Sequence, residues 1–202
     1  MTARIERITT SDPVSGMENN TWLVGDDSEV IVIDPAHSTD TVLAAVDDRR
    51  VTAILLTHGH WDHVRAAVGL GQKVDVPPRL REPDDFLWRE SHPTARFAPL
   101  NDGDTFEAAG ATLVARATPG HTPGSTCFVA ESLGVVFAGD TLFPGGPGAT
   151  RWKYSNFATI VESIGTALFA LDDATVVCPG HGDSTTIGAE RPQLRDWIAR
   201  GW

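Results

Sequence analysis

Apolar positions recur along the chain in short runs punctuated by glycine and proline. Thr21 to Val24 and Val30 to Ile33 are two β-type runs around Gly25-Asp26-Asp27, a pattern that predicts a hairpin. Thr39 to Arg50 has helical spacing, with Val42, Leu43 and Val46 on one face and Ser38 or Thr39 as cap. Val51 to Thr57 predicts a buried strand, followed by a helix over about 62–70. The Pro-rich stretch 76–99 predicts irregular chain with a short helix near 84–90. Strands are expected over 105–108, 112–117, 126–130, 135–138 and 175–178. Ile160, Ile164, Leu168 and Leu171 predict an amphipathic helix over 156–171, and a last helix spans 191–200, with Pro192 in its first turn. No linker or low-complexity segment divides these elements. Strands in two groups, with helices between and after them, suit two sheets packed face to face with helices outside, in one domain over residues 1–202.

Composition narrows the class. The 202 residues are 41% hydrophobic and 21% charged, ordinary for a globular chain long enough to need no covalent staples. Cys127 and Cys178 each lie inside an apolar run, which predicts buried reduced thiols. No apolar run approaches the ~18 residues of a membrane span, and no apolar stretch follows the N-terminal residues as a secretory signal would. A cytoplasmic protein is expected, with no membrane partner. The net charge of −11 and the lack of any Lys/Arg cluster argue against a nucleic-acid partner.

The chemistry concentrates where the apolar runs stop. Pro119-Gly120 is followed by His121, Ala138-Gly139 by Asp140, and Pro179-Gly180 by His181. The run ending at Thr57 delivers His58-Gly59-His60-Trp61-Asp62-His63. Glycine permits a sharp turn, so the next side chain can point back across a sheet edge. Four strand ends can therefore converge on one metal centre. His58 and His60, two apart, can face one ion, while Asp62 and His63 face another direction, which suits a second. Imidazole with carboxylate favours zinc, iron or manganese over calcium or magnesium. A lone histidine is usually an ordinary core or surface group. Here five of the seven fall in one short run or just after a strand-ending glycine, which chance placement does not explain. His37 and His92 are read as ordinary loop residues, and Cys178 as core.

The series His58-x-His60-x-Asp62-His63 followed by His121, Asp140 and His181 resembles the metallo-β-lactamase superfamily. The resemblance covers nearly the whole chain and implies an αββα four-layer sandwich, α/β in class, with the site at the sheet edges. It implies one metal site of His58, His60 and His121, a second of Asp62, His63 and His181, Asp140 bridging the two, and Asp34 orienting the ligand loop. Two divalent ions are then expected, zinc foremost, with iron or manganese as alternatives. Thr118-Pro-Gly-His-Thr-Pro-Gly-Ser125, Ala138-Gly-Asp-Thr-Leu-Phe143 and Cys178-Pro-Gly-His-Gly-Asp183 are similar to the glyoxalase II branch. Phe143-Pro-Gly-Gly-Pro-Gly-Ala-Thr-Arg151 and Gly188-Ala-Glu-Arg-Pro192 are similar to a compact actinobacterial-type subgroup expected to act on acylated small thiols such as mycothiol. The residues after His181 are too few for the C-terminal helical domain with which larger glyoxalase II enzymes help bind glutathione.

The expected activity is hydrolysis of a small-molecule thioester by a hydroxide shared between the ions, with Asp62 orienting it and taking its proton, and with Arg151, Lys153 and Tyr154 near the substrate tail. A thiol leaves readily because its pKa is near 8.5. Two readings compete. A persulfide dioxygenase would share the ligand residues but use one iron and oxygen. A lactonase of the same fold would usually carry tyrosine where Phe143 stands. A β-lactamase is disfavoured because those enzymes lack the bridging carboxylate, and a metal-free binding module because no ligand residue is missing.

Overall fold

The computed structural model describes residues 2–201. Strands β1 (Arg4–Ser11), β2 (Glu18–Gly25), β3 (Glu29–Ile33), β4 (Arg50–Leu55), β5 (Pro78–Leu80) and β6 (Ala98–Pro99) form one sheet in that spatial order. The first three pair antiparallel and the rest parallel. The second sheet holds β7 (Thr105–Ala108), β8 (Ala111–Ala117), β9 (Thr126–Ala130) and β10 (Val135–Gly139). After a small hairpin of β11 (Leu142–Phe143) and β12 (Gly146–Pro147), it is completed by β13 (Val176–Pro179) and β14 (Thr185–Thr186), in the order 7-8-9-10-13-14. Helices α1 (Thr39–Val46), α2 (Trp61–Val64), α3 (Ala67–Val74) and α4 (Asp85–Ser91) accompany the first sheet, and α5 (Phe157–Ser163), α6 (Ile187–Glu190) and α7 (Leu194–Arg200) follow the second.

Alternation along the strands explains the four layers. Trp22, Val24, Ile31, Ile33 and Leu55 of the first sheet pack against Leu113, Ala115, Phe128, Phe137 and Cys178 of the second. Their strand neighbours Leu23, Val30, Val32 and Ile54 face the other way, against Val42 and Val46 of α1 and Leu70 of α3. On the far side, Cys127, Val129, Val136 and Val177 meet Ile160 of α5, then Ile164 and Leu168, with Ile187 and Trp197. This is the αββα sandwich, and both cysteines are free and buried in it. Each fully buried Phe or Leu contributes about 1.5–3 kcal/mol relative to exposure. Among the described residues, no helix is long and apolar enough to cross a membrane.

Several elements differ from their sequence patterns. The helix expected over 39–50 stops at Val46, because Asp47 turns left-handed at φ 55° while its N–H still bonds Leu43. The helix expected over 62–70 is two, since Ala66 N–H donates to Pro35 O at 3.1 Å between them. The 156–171 helix begins as expected, with Asn156 accepting from Thr159 N–H, then widens into a π turn over Ile164–Leu168. Edge strand β1 is carried by too charged a segment, Arg4-Ile-Glu-Arg-Ile8, for an apolar pattern to reveal it.

Candidate metal centre

Four strand ends meet at one edge of the sandwich. β4 leads through Leu56 and Thr57 to His58 and His60, and α2 then presents Asp62 and His63. The turn after β8 carries His121, β10 ends just before Asp140, and β13 just before His181. The glycines have two different uses. Gly139 lies at φ +48°, and a Cβ there would also overlap the Thr57 side chain. Gly180 is not left-handed; a Cβ on it would instead overlap His63 and reach Asp140 Oδ1. A sharp turn is therefore the reason for one glycine and close approach the reason for the other.

All five site histidines turn one ring nitrogen inward and give the other an outer partner. His58 Nε2 and His121 Nε2 lie 3.0 and 3.1 Å from His60 Nδ1. Outward, His58 Nδ1 meets Thr57 Oγ1 at 3.1 Å, His60 Nε2 meets the Tyr154 hydroxyl at 2.9 Å, and His121 Nδ1 meets Ala149 O at 2.8 Å. In a second group, His63 Nε2 and His181 Nε2 are 3.3 Å apart and lie 3.5 and 3.3 Å from Asp62 Oδ2. There the outward nitrogens of His63 and His181 meet Asp34 Oδ2 at 3.0 Å and Glu18 O at 2.6 Å. Such outer partners fix ring orientation and tautomer, as they do around bound metals.

Asp140 stands between the groups. Its Oδ1 is 3.4 Å from His63 Nε2, and its Oδ2 is 3.5 Å from His121 Nε2 and 3.6 Å from His181 Nε2. The buried Oδ1 has no hydrogen-bond partner among the described residues. An ionised oxygen without a donor, beside imidazole nitrogens converging at 3.0–3.3 Å, is the environment a cation satisfies. The donor set therefore fits divalent metal. Asp34, His58 and His63 also cluster, but both Asp34 oxygens are engaged by Thr57 (N–H 2.7 Å, Oγ1 2.6 Å) and by His63. Asp34 thus orients the loop, at a left-handed φ of 49°.

Electrostatics separate the two groups. Burial, reinforced by neighbouring rings, pushes His60 down to about 4 and His58 well below its ordinary value; burial also lowers His121. These rings are neutral with free lone pairs. Burial alone would raise Asp62 and Asp140, but His63 and His181 outweigh it and hold both well below the usual carboxylate range. Burial opposes protonation of His63 and His181, yet Asp140 and Asp62 outweigh it and raise both. The negative field that draws a proton to these two rings draws a divalent cation more strongly.

His60, Asp140 and His181 are half-buried and open to solvent, whereas His58, His63 and His121 are enclosed. Trp152 packs on His60 and His121 at centroid distances of 4.7 and 5.2 Å and stacks parallel to Tyr154, whose far edge meets exposed Phe86. Phe143 lies 6.4 Å from the His181 ring. Of the residues expected near a substrate tail, Tyr154 touches the site directly. Arg151 sits over the Trp152 ring at 4.9 Å, and Lys153 is exposed.

Sequence reasoning missed four contributors. Asn19 donates to Asp62 Oδ2 at 3.0 Å, and His37, read as a loop residue, bonds Asn19 Oδ1 at 2.7 Å. Trp152 supplies the aromatic wall. Asp84, fully buried, accepts from Gly59 N–H, Thr122 Oγ1 and Gly124 N–H. None has a motif signal, because each acts through contacts distant in sequence. His92 keeps an ordinary role, bonding Val64 O at 2.9 Å.

Comparison with known proteins identifies the family. Residues 15–181 match the metallo-β-lactamase superfamily. The chain belongs to that superfamily. It is 34% identical to hydroxyacylglutathione hydrolase GloC of Haemophilus influenzae over 197 residues, covering 89% of this chain and 92% of the relative. Among solved structures it superposes on TTHA1623 in a di-iron-bound form (TM-score 0.80, 29% identity, 92% and 96% of the two chains). It also superposes on ETHE1 from Myxococcus xanthus (TM-score 0.73, 26% identity, 92% and 81%). The superfamily's fold and a hydrolase-type metal centre follow.

Proposed function

We propose that this chain is a two-metal hydrolase that cleaves thioesters of a low-molecular-weight thiol. The observation that carries the reading is Asp140, whose carboxylate lies between the two histidine groups, with Oδ1 near His63 and Oδ2 near both His121 and His181. The likeness to hydroxyacylglutathione hydrolase GloC and to a structure bound to di-iron supports it. His58, His60 and His121 would hold one ion, Asp62, His63 and His181 the other, and Asp140 would reach both. Zinc is the first expectation, with iron or manganese as alternatives. When bound, such a pair acidifies water to a pKa near 7 and polarises a carbonyl.

The remaining chemistry belongs to the chain's own residues. Asp62 is kept ionised, with its Oδ2 held by Asn19, so it can accept a hydrogen bond from a water and orient it. Tyr154 and Trp152 fix His60 and form an apolar wall beside the opening, where the acyl chain or thiol carrier lies. Arg151 and Lys153 flank that wall for an anionic tail. The thiol needs no general acid to depart, given a pKa near 8.5. On this reading the ligand is a small molecule and the location cytoplasmic, and the net charge of −11 opposes nucleic acid.

The test is metal quantification on native protein, followed by a panel of lactoyl and formyl thioesters of glutathione and mycothiol. Two ions per chain with thioester turnover are expected. One iron per chain, with oxygen uptake on glutathione persulfide, would replace this reading with a dioxygenase.

A further inference from the structure

Asp84 has no place in the motifs that deliver the metal donors. It closes a short turn of 3₁₀ helix before α4, is fully buried, and spends its carboxylate on two loops. Its Oδ2 accepts from Gly59 N–H at 2.8 Å and from Thr122 Oγ1 at 2.7 Å, and its Oδ1 accepts from Gly124 N–H at 2.6 Å. Gly59 lies between His58 and His60, and Thr122 follows His121. Both glycines are packed closely against Asp84, Gly124 against its carboxylate and Gly59 against its Cβ and backbone oxygen, with Leu87 beside it. A Cβ on Gly59 would come within 3.0 Å of Asp84 Cβ, and one on Gly124 within 2.5 Å of Asp84 Cγ. Thr122 is further tied to Ser125, its N–H donating to Ser125 Oγ at 3.0 Å.

We propose that Asp84 is a positioning residue for the His58, His60 and His121 group alone, clamping its two loops together and setting that site's affinity for its ion. The proposal rests on the two-ion reading above. The second group is held by other partners: Asp34 for His63, Asn19 for Asp62 and the Glu18 carbonyl for His181. Among the described residues, the side-chain bonds of Asp84 go to Gly59, Thr122 and Gly124 and not to these three. A metal tolerates ligand displacements of only about 0.2 Å, so loosening one clamp affects one site. Asparagine at 84 keeps the shape but turns an N–H₂ toward at least one of three donors.

The experiment titrates metal-free chain with cobalt(II) and follows the absorption bands, assigned to each site with His121→Ala and His181→Ala chains. Asp84→Asn should weaken the first site about 10-fold or more and leave the second within about 2-fold, with the metal-free melting temperature recorded alongside. Thr122→Val should weaken the same site less, and Thr122→Ser should restore it. Equal weakening of both sites, or of neither, overturns the proposal. If Asp84→Asn does not fold, the Thr122 pair decides by the same criteria. A wild-type chain that takes up one ion overturns the two-ion reading instead. Asp84 then keeps its role if Asp84→Asn weakens that ion, and loses it if affinity is unchanged.

Discussion

Asp140 reaches His63 through one carboxylate oxygen and His121 and His181 through the other, from a half-buried position behind Gly139. Removing it leaves both histidine groups without the carboxylate they share. Asp140→Ala is expected to lose most turnover and one of two ions; a variant with full turnover and both ions would remove the bridging role. The cysteines make the opposite case. Burial pushes both thiols up to about 11, so neither is a thiolate at neutral pH. A thiol reagent at pH 8 should label neither in the folded chain and both on unfolding, and rapid native labelling would contradict the burial. At this scale the sequence was highly informative: His58, His60, Asp62 and His63 and the three residues after glycines arrive at one place. Asn19, His37, Trp152 and Asp84 stayed hidden, since an asparagine or an aspartate in a loop carries no signal until its distant partner is known.

Elements impose their own tests. At Gly139, alanine would have to occupy a left-handed φ and also displace Thr57, whose hydroxyl holds Asp34. Gly139→Ala is expected to cost more than about 2 kcal/mol, read as a lowered denaturation midpoint. Asn156 caps α5 by accepting from Thr159 N–H at 2.9 Å, so Asn156→Ala should cost about 1 kcal/mol with metal content unchanged. The β1–β2 connection is tied by Asp12, which Ser15 N–H and Oγ, with Arg65, push down to about 2 from an ordinary 3.8. A depressed carboxylate contributes its stability in full above the unfolded value and loses it as pH falls through about 2. Asp12→Asn should therefore flatten the acid limb of stability below about pH 4, and an unchanged limb would mean other carboxylates dominate it. The buried central strands were legible from their apolar runs, while the charged edge strand β1, the short strands and the helix ends were not. Asp47's left-handed turn and the Ala66–Pro35 bond are set by what packs beside them.

On the scale of the molecule, the proposed metal centre would couple to the fold. Seven candidate donor residues from four strand ends and one helix meet at the sandwich edge, so ions that bound only the folded chain would stabilise it. An ion at 100 times its dissociation constant adds about 2.7 kcal/mol. Stripping metal with a chelator should lower the melting temperature by several degrees and restore it on adding zinc; no shift would mean the centre is held without metal.

The apolar runs and the glycines that end them pointed to two packed sheets and to ligand-type residues at their edge, because both signals are local: an apolar run marks a strand, and a glycine frees the next side chain. The division of the donors was an expectation from the family resemblance, and only the tertiary structure gives the distances that bear on it. It placed Asp140 between two groups, assigned Asp34 to the loop rather than to an ion, and set Asp84 across Gly59 and Gly124. Those roles depend on distances between residues far apart in the chain, which packing of the two sheets brings to a few ångströms.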